Sequence, residues 1–178
     1  MSEAKSGPIC LGFLSFVEEN GVKGGLFLTN SWGRPVEFRI SSAVQPNQVQ
    51  KILYGPTLQS YLYAEVISKT LLEKSATKAD LILTDHPAAL TLRHHVEVPV
   101  LFLAESDPPE EWAGRLLQAS HPHTEAPLCY EANRSEDAEL IAALLGKIDT
   151  ALDLAEPFSR VREAMTEATK MGVNQRAA

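Results

Sequence analysis

Apolar and polar positions follow a strand-like pattern in the first third of the chain and a helical one in the last quarter, with short unbroken apolar runs between. Residues 11–17 are apolar and aromatic, and Asn20-Gly21 then supplies a hairpin-turn dipeptide. A second run over 25–30 stops at Ser31-Trp32-Gly33-Arg34. In 35–40, Val36, Phe38 and Ile40 alternate with Glu37 and Arg39. That period of two gives one buried and one wet face, and it predicts a three-stranded antiparallel meander. Two further runs, 81–84 and 98–103, flank a segment that fits a short crossover helix. This is a β-α-β unit, which places parallel strands inside a covered sheet.

Helical spacing accounts for most of the rest. A short helix is expected within 42–57, with Pro46 suited to its first position, Val49, Ile52 and Leu53 at helical spacing, and Tyr54-Gly55-Pro56 as its end. A longer helix runs from about 57 to 74. Its apolar residues surround most of the circumference, which predicts cover on two sides: the sheet on one, the C-terminal region on the other. Ser135-Glu136-Asp137 resembles a helix start, and Leu140, Ile141, Leu144, Leu145, Ile148 and Leu152 form a stripe after it. Pro157 opens a second helix carrying Phe158, Val161, Met165 and Ala168, with Gly172 as its stop. In 105–134, Asp107-Pro108-Pro109-Glu110-Glu111 reads as a helix start leading to Trp112, Leu116 and Leu117, and Leu128-Cys129-Tyr130 reads as a last edge strand. The expected organisation is a disordered N-terminus over 1–9, an α/β domain over 10–134, a helical hairpin over 135–172 packed on the domain or on a partner, and a flexible tail over 173–178.

Composition narrows the function classes. With 178 residues, 44% hydrophobic and 22% charged, the chain suits one soluble domain with a real core. No apolar run approaches a membrane span, and the polar N-terminus lacks a signal-peptide layout. Two cysteines, Cys10 and Cys129, make no disulfide framework. A cytoplasmic protein with no membrane association is expected. The net charge of −7 is carried entirely beyond Leu103, the earlier part being balanced. Phosphate contacts need a basic surface, so the global charge argues against nucleic acid as partner.

Three antiparallel strands, a helix and two parallel strands joined by a crossover, over residues 10–104, resemble the ribonuclease H-like superfold, which includes endonuclease V. Profilin-like and GAF/roadblock-like domains also begin with antiparallel strands. The resemblance implies clustered carboxylates holding two divalent cations, which clamp the attacking and leaving oxygens of a phosphate. Asp85 matches the expected acid at the end of the fourth strand and Glu65 the acid on the helix. The first strand carries none, and Glu18 and Glu19 lie only at its far end.

Each candidate has a structural alternative. Asp85 stands where open α/β sheets place ligands, yet Asp also caps helices, here one beginning at Pro87. His86 reads as a turn residue beside it. Glu65 is four residues before Lys69, a spacing for a helix ion pair. Trp32 and Arg34 form a loop suited to partner contact, or Trp32 closes the hairpin over the core. His94-His95 and His121-Pro122-His123 lack zinc-ligand spacing, so no metal site is assigned. Phosphate-loop and nucleophile-elbow motifs are also missing from the sequence. The expected function is a non-catalytic protein-protein interaction or accessory subunit, with a protein partner or a homo-oligomer and no cofactor, binding through Trp32, Arg34 and His86. One alternative is a divalent-metal-dependent nuclease or phosphoesterase using Asp85, Glu65 and Glu18 with Mg or Mn. A small-molecule sensor domain is the other.

Overall fold

The computed structural model describes residues 8–105, 107–122 and 124–177, the last five as helix backbone alone. Its strands are β1 (Leu11–Glu18), β2 (Val22–Thr29), β3 (Pro35–Ile40), β4 (Leu81–Thr84), β5 (Val100–Leu103), β6 (Leu116–Ala119) and β7 (Leu128–Glu131). They form one mixed sheet in the order β3-β2-β1-β4-β5-β7-β6. β1 pairs antiparallel with β2 and parallel with β4, and β4 pairs parallel with β5. The meander and the β-α-β unit expected from the sequence are both present. The crossover is a 3₁₀ helix, Pro87–His94.

Side chains on β1 alternate between two separate apolar layers. Leu14, with Leu26, Leu28 and Ile82, packs beneath the helical run 58–74. Leu11 and Phe13, with Leu81 and Leu83, pack beneath the C-terminal helices Ala138–Leu145 and Glu156–Ala177. Phe158 meets Phe13 edge-on at 5.4 Å, so the two C-terminal helices dock on their own sheet.

This arrangement corrects the expectation that the C-terminal region covers the outer side of the long helix: it covers the opposite face of the sheet. The run 58–74 is wound as a π-helix over Tyr61–Lys69, where the Ser68 hydroxyl donates to the Tyr63 carbonyl five residues back. With that wider winding Leu62, Tyr63, Ala64, Ile67, Ser68 and Leu71 share one buried face. A pattern read at 3.6 residues per turn spreads the same residues around the circumference.

Other differences are local. The helix expected after Glu110 is a single 3₁₀ turn, Glu110–Trp112, followed by the β6–β7 hairpin; β7 is internal and β6 is the edge. The short helix starts at Gln48 rather than at Pro46, because Asn47 and Gln50 form a reciprocal capping box. Its Val49, Ile52 and Leu53 stay exposed. Ile9, assigned to a disordered N-terminus, is 5% exposed and part of the core; residues 1–7 lie outside the described residues. The last helix continues through Gly172 to Ala177, replacing the tail expected at 173–178 up to that point. Among the described residues no helix is long and apolar enough to cross a membrane.

Two features of this packing are testable. The Gly24-Gly25 pair of β2 lies between the helical layers: a Cβ at 24 would sit 2.3 Å from Ile67 Cγ2, and one at 25 would sit 2.7 Å from Met165 Sδ. Gly24→Ala is expected to lower stability in urea denaturation by about 1–3 kcal/mol, with partial recovery in the Gly24→Ala, Ile67→Ala double variant. Glu37 on β3 accepts from the backbone amides of Ala76 and Thr77 and from Arg39 Nε. Those bonds, the two backbone ones foremost, hold its carboxyl down at about 2. A depressed native pKa contributes stability above the ordinary value of 4.5 that is lost as pH falls toward 2. In Glu37→Gln the acid limb of a thermal-melt pH profile should flatten relative to the parent chain.

Candidate functional site at the carboxyl ends of β1 and β4

Ser15 and Asp85 point to the same face because β1 and β4 are parallel with Leu14 opposite Thr84, and each residue is the next one along. Ser15 is completely buried, and its Oγ donates to Asp85 Oδ2 at 2.6 Å. Arg162, on the last helix, donates from Nη1 to the same oxygen at 2.6 Å. The Asp85 side chain is 16% exposed and that of Arg162 41%. The Asp85 carboxylate is also supported by its own backbone amide, and among the described residues Arg162 makes no side-chain hydrogen bond besides the one to Asp85. Burial pushes the Asp85 carboxyl above its ordinary range, opposed by the Ser15 hydroxyl and the Arg162 charge.

One helical turn beyond Arg162 a groove of about 460 Å³ opens between the end of β1 and the last helix, lined by Val17, Glu19, Lys23, Thr166, Thr169 and Lys170. Lys23 Nζ donates to Thr169 Oγ1 at 3.4 Å, and Lys170 pairs with Glu167 at 3.3 Å. Two lysines and two threonines thus share this groove with Glu19 and with the apolar side chains of Val17 and Met165.

Glu18 and His86 lie on the other face of the sheet. The Tyr63 hydroxyl donates to Glu18, and the Tyr63 ring stacks on His86 at 4.1 Å. Burial, then the neighbouring Glu18 carboxylate, pushes the Tyr63 hydroxyl upward. His86, not Asp85, caps the crossover helix: its Nδ1 accepts the Ala88 amide at 3.2 Å. Burial lowers the His86 pKa against the pull of Glu18.

Glu65 faces His95 at 3.4 Å rather than Lys69, and it lines a cleft with Tyr54, Tyr61, Thr91 and His94. Asp85, Glu65 and Glu18 are therefore directed to three different partners. Trp32 and Arg34 sit in the β2–β3 connection beyond the amino end of β1, whereas His86 follows the carboxyl end of β4, so these three do not converge either. Trp32 is 65% exposed and closes nothing. Its loop is organised by Asn30 Oδ1, which accepts from the amides of Trp32 and Arg34, and by Arg160, which donates to the Gly33 carbonyl.

The sequence reading missed Ser15 and Arg162. A signal existed for Arg162, which falls four residues after Phe158 and three before Met165 and thus lies on the apolar stripe. Divalent-metal catalysis needs several carboxylates together. Among the described residues no group of three or more His, Cys, Asp or Glu is assembled to hold a metal. His123 lies outside the described residues, and His94 is paired with Glu131 at 2.7 Å. The donor set does not fit a two-metal centre.

No family model matches the chain, and no curated protein matches it. Among solved structures it is similar to endonuclease V of Ciona intestinalis in complex with a 23mer DNA containing an inosine followed by a ribo-adenosine. That similarity has 11% identity and a TM-score of 0.45, and it covers 94% of this chain and 88% of the other. The structure found is an endonuclease and lends no support to the expectation of a non-catalytic accessory subunit; at this identity and TM-score the likeness assigns no activity to this chain.

A pH dependence follows from the His86 cap. Protonation at Nδ1 removes the acceptor that the Ala88 amide requires, so the native state favours neutral imidazole. The contribution is complete above the ordinary value of 6.5 and is lost as pH falls through the lower native value. His86→Asn keeps an acceptor at the cap. Its melting temperature should fall less than that of the parent chain between pH 7 and pH 5, as read by differential scanning calorimetry.

Proposed function

We propose that the chain is an enzyme of nuclease or phosphoesterase type whose phosphate ester lies against Arg162 at the carboxyl ends of β1 and β4. The observation that carries this reading is the Ser15–Asp85–Arg162 centre: a largely buried carboxylate beside a guanidinium that spends one N–H on it and keeps others on a half-exposed side chain. The three antiparallel strands followed by a parallel β-α-β unit support it, since that order of elements resembles the ribonuclease H-like superfold, with Asp85 at the end of the fourth strand.

Each residue has a distinct part. Arg162 neutralises the phosphate and fixes its orientation through N–H groups not used on Asp85. The Asp85 carboxylate takes a proton from the attacking water as the water oxygen bonds to phosphorus and the P–O ester bond breaks. The same proton or one from solvent goes to the departing alkoxide. Burial favours the task by raising the basicity of the carboxylate. Ser15 is too buried to attack and instead orients the carboxylate. Lys23, Thr166 and Lys170 receive the rest of an anionic substrate along the groove.

The test is hydrolysis of p-nitrophenyl phosphate, bis-p-nitrophenyl phosphate and short single- and double-stranded oligonucleotides, with and without Mg²⁺ or Mn²⁺. Cleavage of at least one is expected, with kcat reduced about 100-fold or more in Asp85→Asn, as for loss of a general base. Absence of turnover, or turnover indifferent to Asp85→Asn, retires the reading.

A further inference from the structure

Asp85 is the carboxylate around which a divalent cation would be built, yet its environment is already electrically complete. Oδ2 receives two donors at 2.6 Å, one of them cationic. The other acids that a metal would need are engaged elsewhere: Glu18 on the opposite face with Tyr63, Glu65 with His95. Glu19, in the adjacent groove, shares it with Lys23 and Lys170. A metal at Asp85 would therefore have a single protein carboxylate and a guanidinium charge directly beside it. Coulomb repulsion at that range opposes a divalent ion strongly.

The guanidinium differs from a metal in one useful respect. It spends one N–H on Asp85 and keeps several others on a side chain that is 41% exposed, and its planar fork suits two oxygens of a phosphate. A hydrogen-bonded, partly buried carboxylate holds that fork in place, which lowers the entropy lost on binding.

We propose that Arg162 is the resident cation of this site: it stands where a divalent metal would sit on Asp85, and it binds the phosphate oxyanion directly. The inference rests on the location of the proposed phosphoester site but not on its turnover. The ligand class is a phosphate or phosphate monoester or diester group, bound without a metal bridge.

The experiment titrates the full ¹⁵N-labelled chain with inorganic phosphate and, separately, with MnCl₂, following Arg162 Nε–H and the amides of Ser15 and Asp85. In the parent chain phosphate shifts these signals, and Mn²⁺ does not broaden them selectively. Arg162→Gln should weaken the phosphate response about tenfold or more, as expected for loss of a charged hydrogen-bonding group, and should expose Asp85 to Mn²⁺ broadening that Asp85→Asn removes. Arg162→Lys, which keeps the charge, guards against a folding failure: it should weaken phosphate binding while still excluding Mn²⁺. Selective Mn²⁺ broadening at Asp85 in the parent chain overturns the inference, as does a phosphate response unchanged in either Arg162 variant. Turnover is read separately. Phosphate binding at Arg162 without hydrolysis of any ester upholds this inference and retires the enzyme, whereas hydrolysis that requires Mn²⁺ at Asp85 does the reverse.

Discussion

β1 is hydrogen-bonded along both edges and covered on both faces, so each of its side chains belongs to one of two layers that do not communicate through the sheet. A step of one residue along β1 or β4 changes layer. Ser15 is assigned to the layer of the last helix and Glu18 to that of the long helix; Asp85 and His86, adjacent in sequence, are divided in the same way. The chemistry available to the molecule follows from this partition. Two small polar centres form back to back, one built on a charge pair and one on stacked rings, where a count of acids near the strand ends would suggest one cluster.

Charge is organised by the same architecture. Asp85 at the end of β4 meets Arg162 from the last helix, while Arg93 on the crossover makes a two-pronged contact with Asp137, at 2.8 and 3.0 Å, and also donates to the Val96 carbonyl. Both pairs join the β-α-β unit to the C-terminal region, and in both the carboxylate is the more buried member. Such pairs contribute little net stability compared with apolar contacts but tolerate no unmatched partner. Their effect is to fix the position of the C-terminal helices relative to the parallel strands more narrowly than the apolar stripe of Phe158, Val161 and Met165 would alone.

Much of the fold was legible in the residues. The apolar alternation over 35–40, the Asn20-Gly21 turn and the paired apolar runs around Asp85 were enough to place five strands and their directions, but not the faces of β3. Val36 and Phe38, expected on the buried face, are exposed, and the Glu37 side chain, expected wet, is more covered because it bonds the Ala76 and Thr77 amides. What failed had physical causes. The π-wound stretch has a period that a 3.6-residue reading scatters, so a one-sided helix looked two-sided. The β6–β7 hairpin hides behind Pro108, Pro109 and two glutamates, which imitate a helix start. Of the centre around Asp85 the aspartate was visible and Arg162 stood out only as a cation on an apolar stripe. That they meet was not legible, because the partners of Asp85 are 70 and 77 residues away in sequence and reach it only through sheet pairing and helix docking. Local pattern carries no trace of such distances.

The dependence of Asp85 on Arg162 also orders events during synthesis. A ribosome releases the chain from its N-terminus, so β1 and β4 can pair long before residue 162 leaves the exit tunnel. Until then the face that carries Ser15 and Asp85 is open to water, and docking of the final helix both covers the carboxylate and supplies its counter-ion.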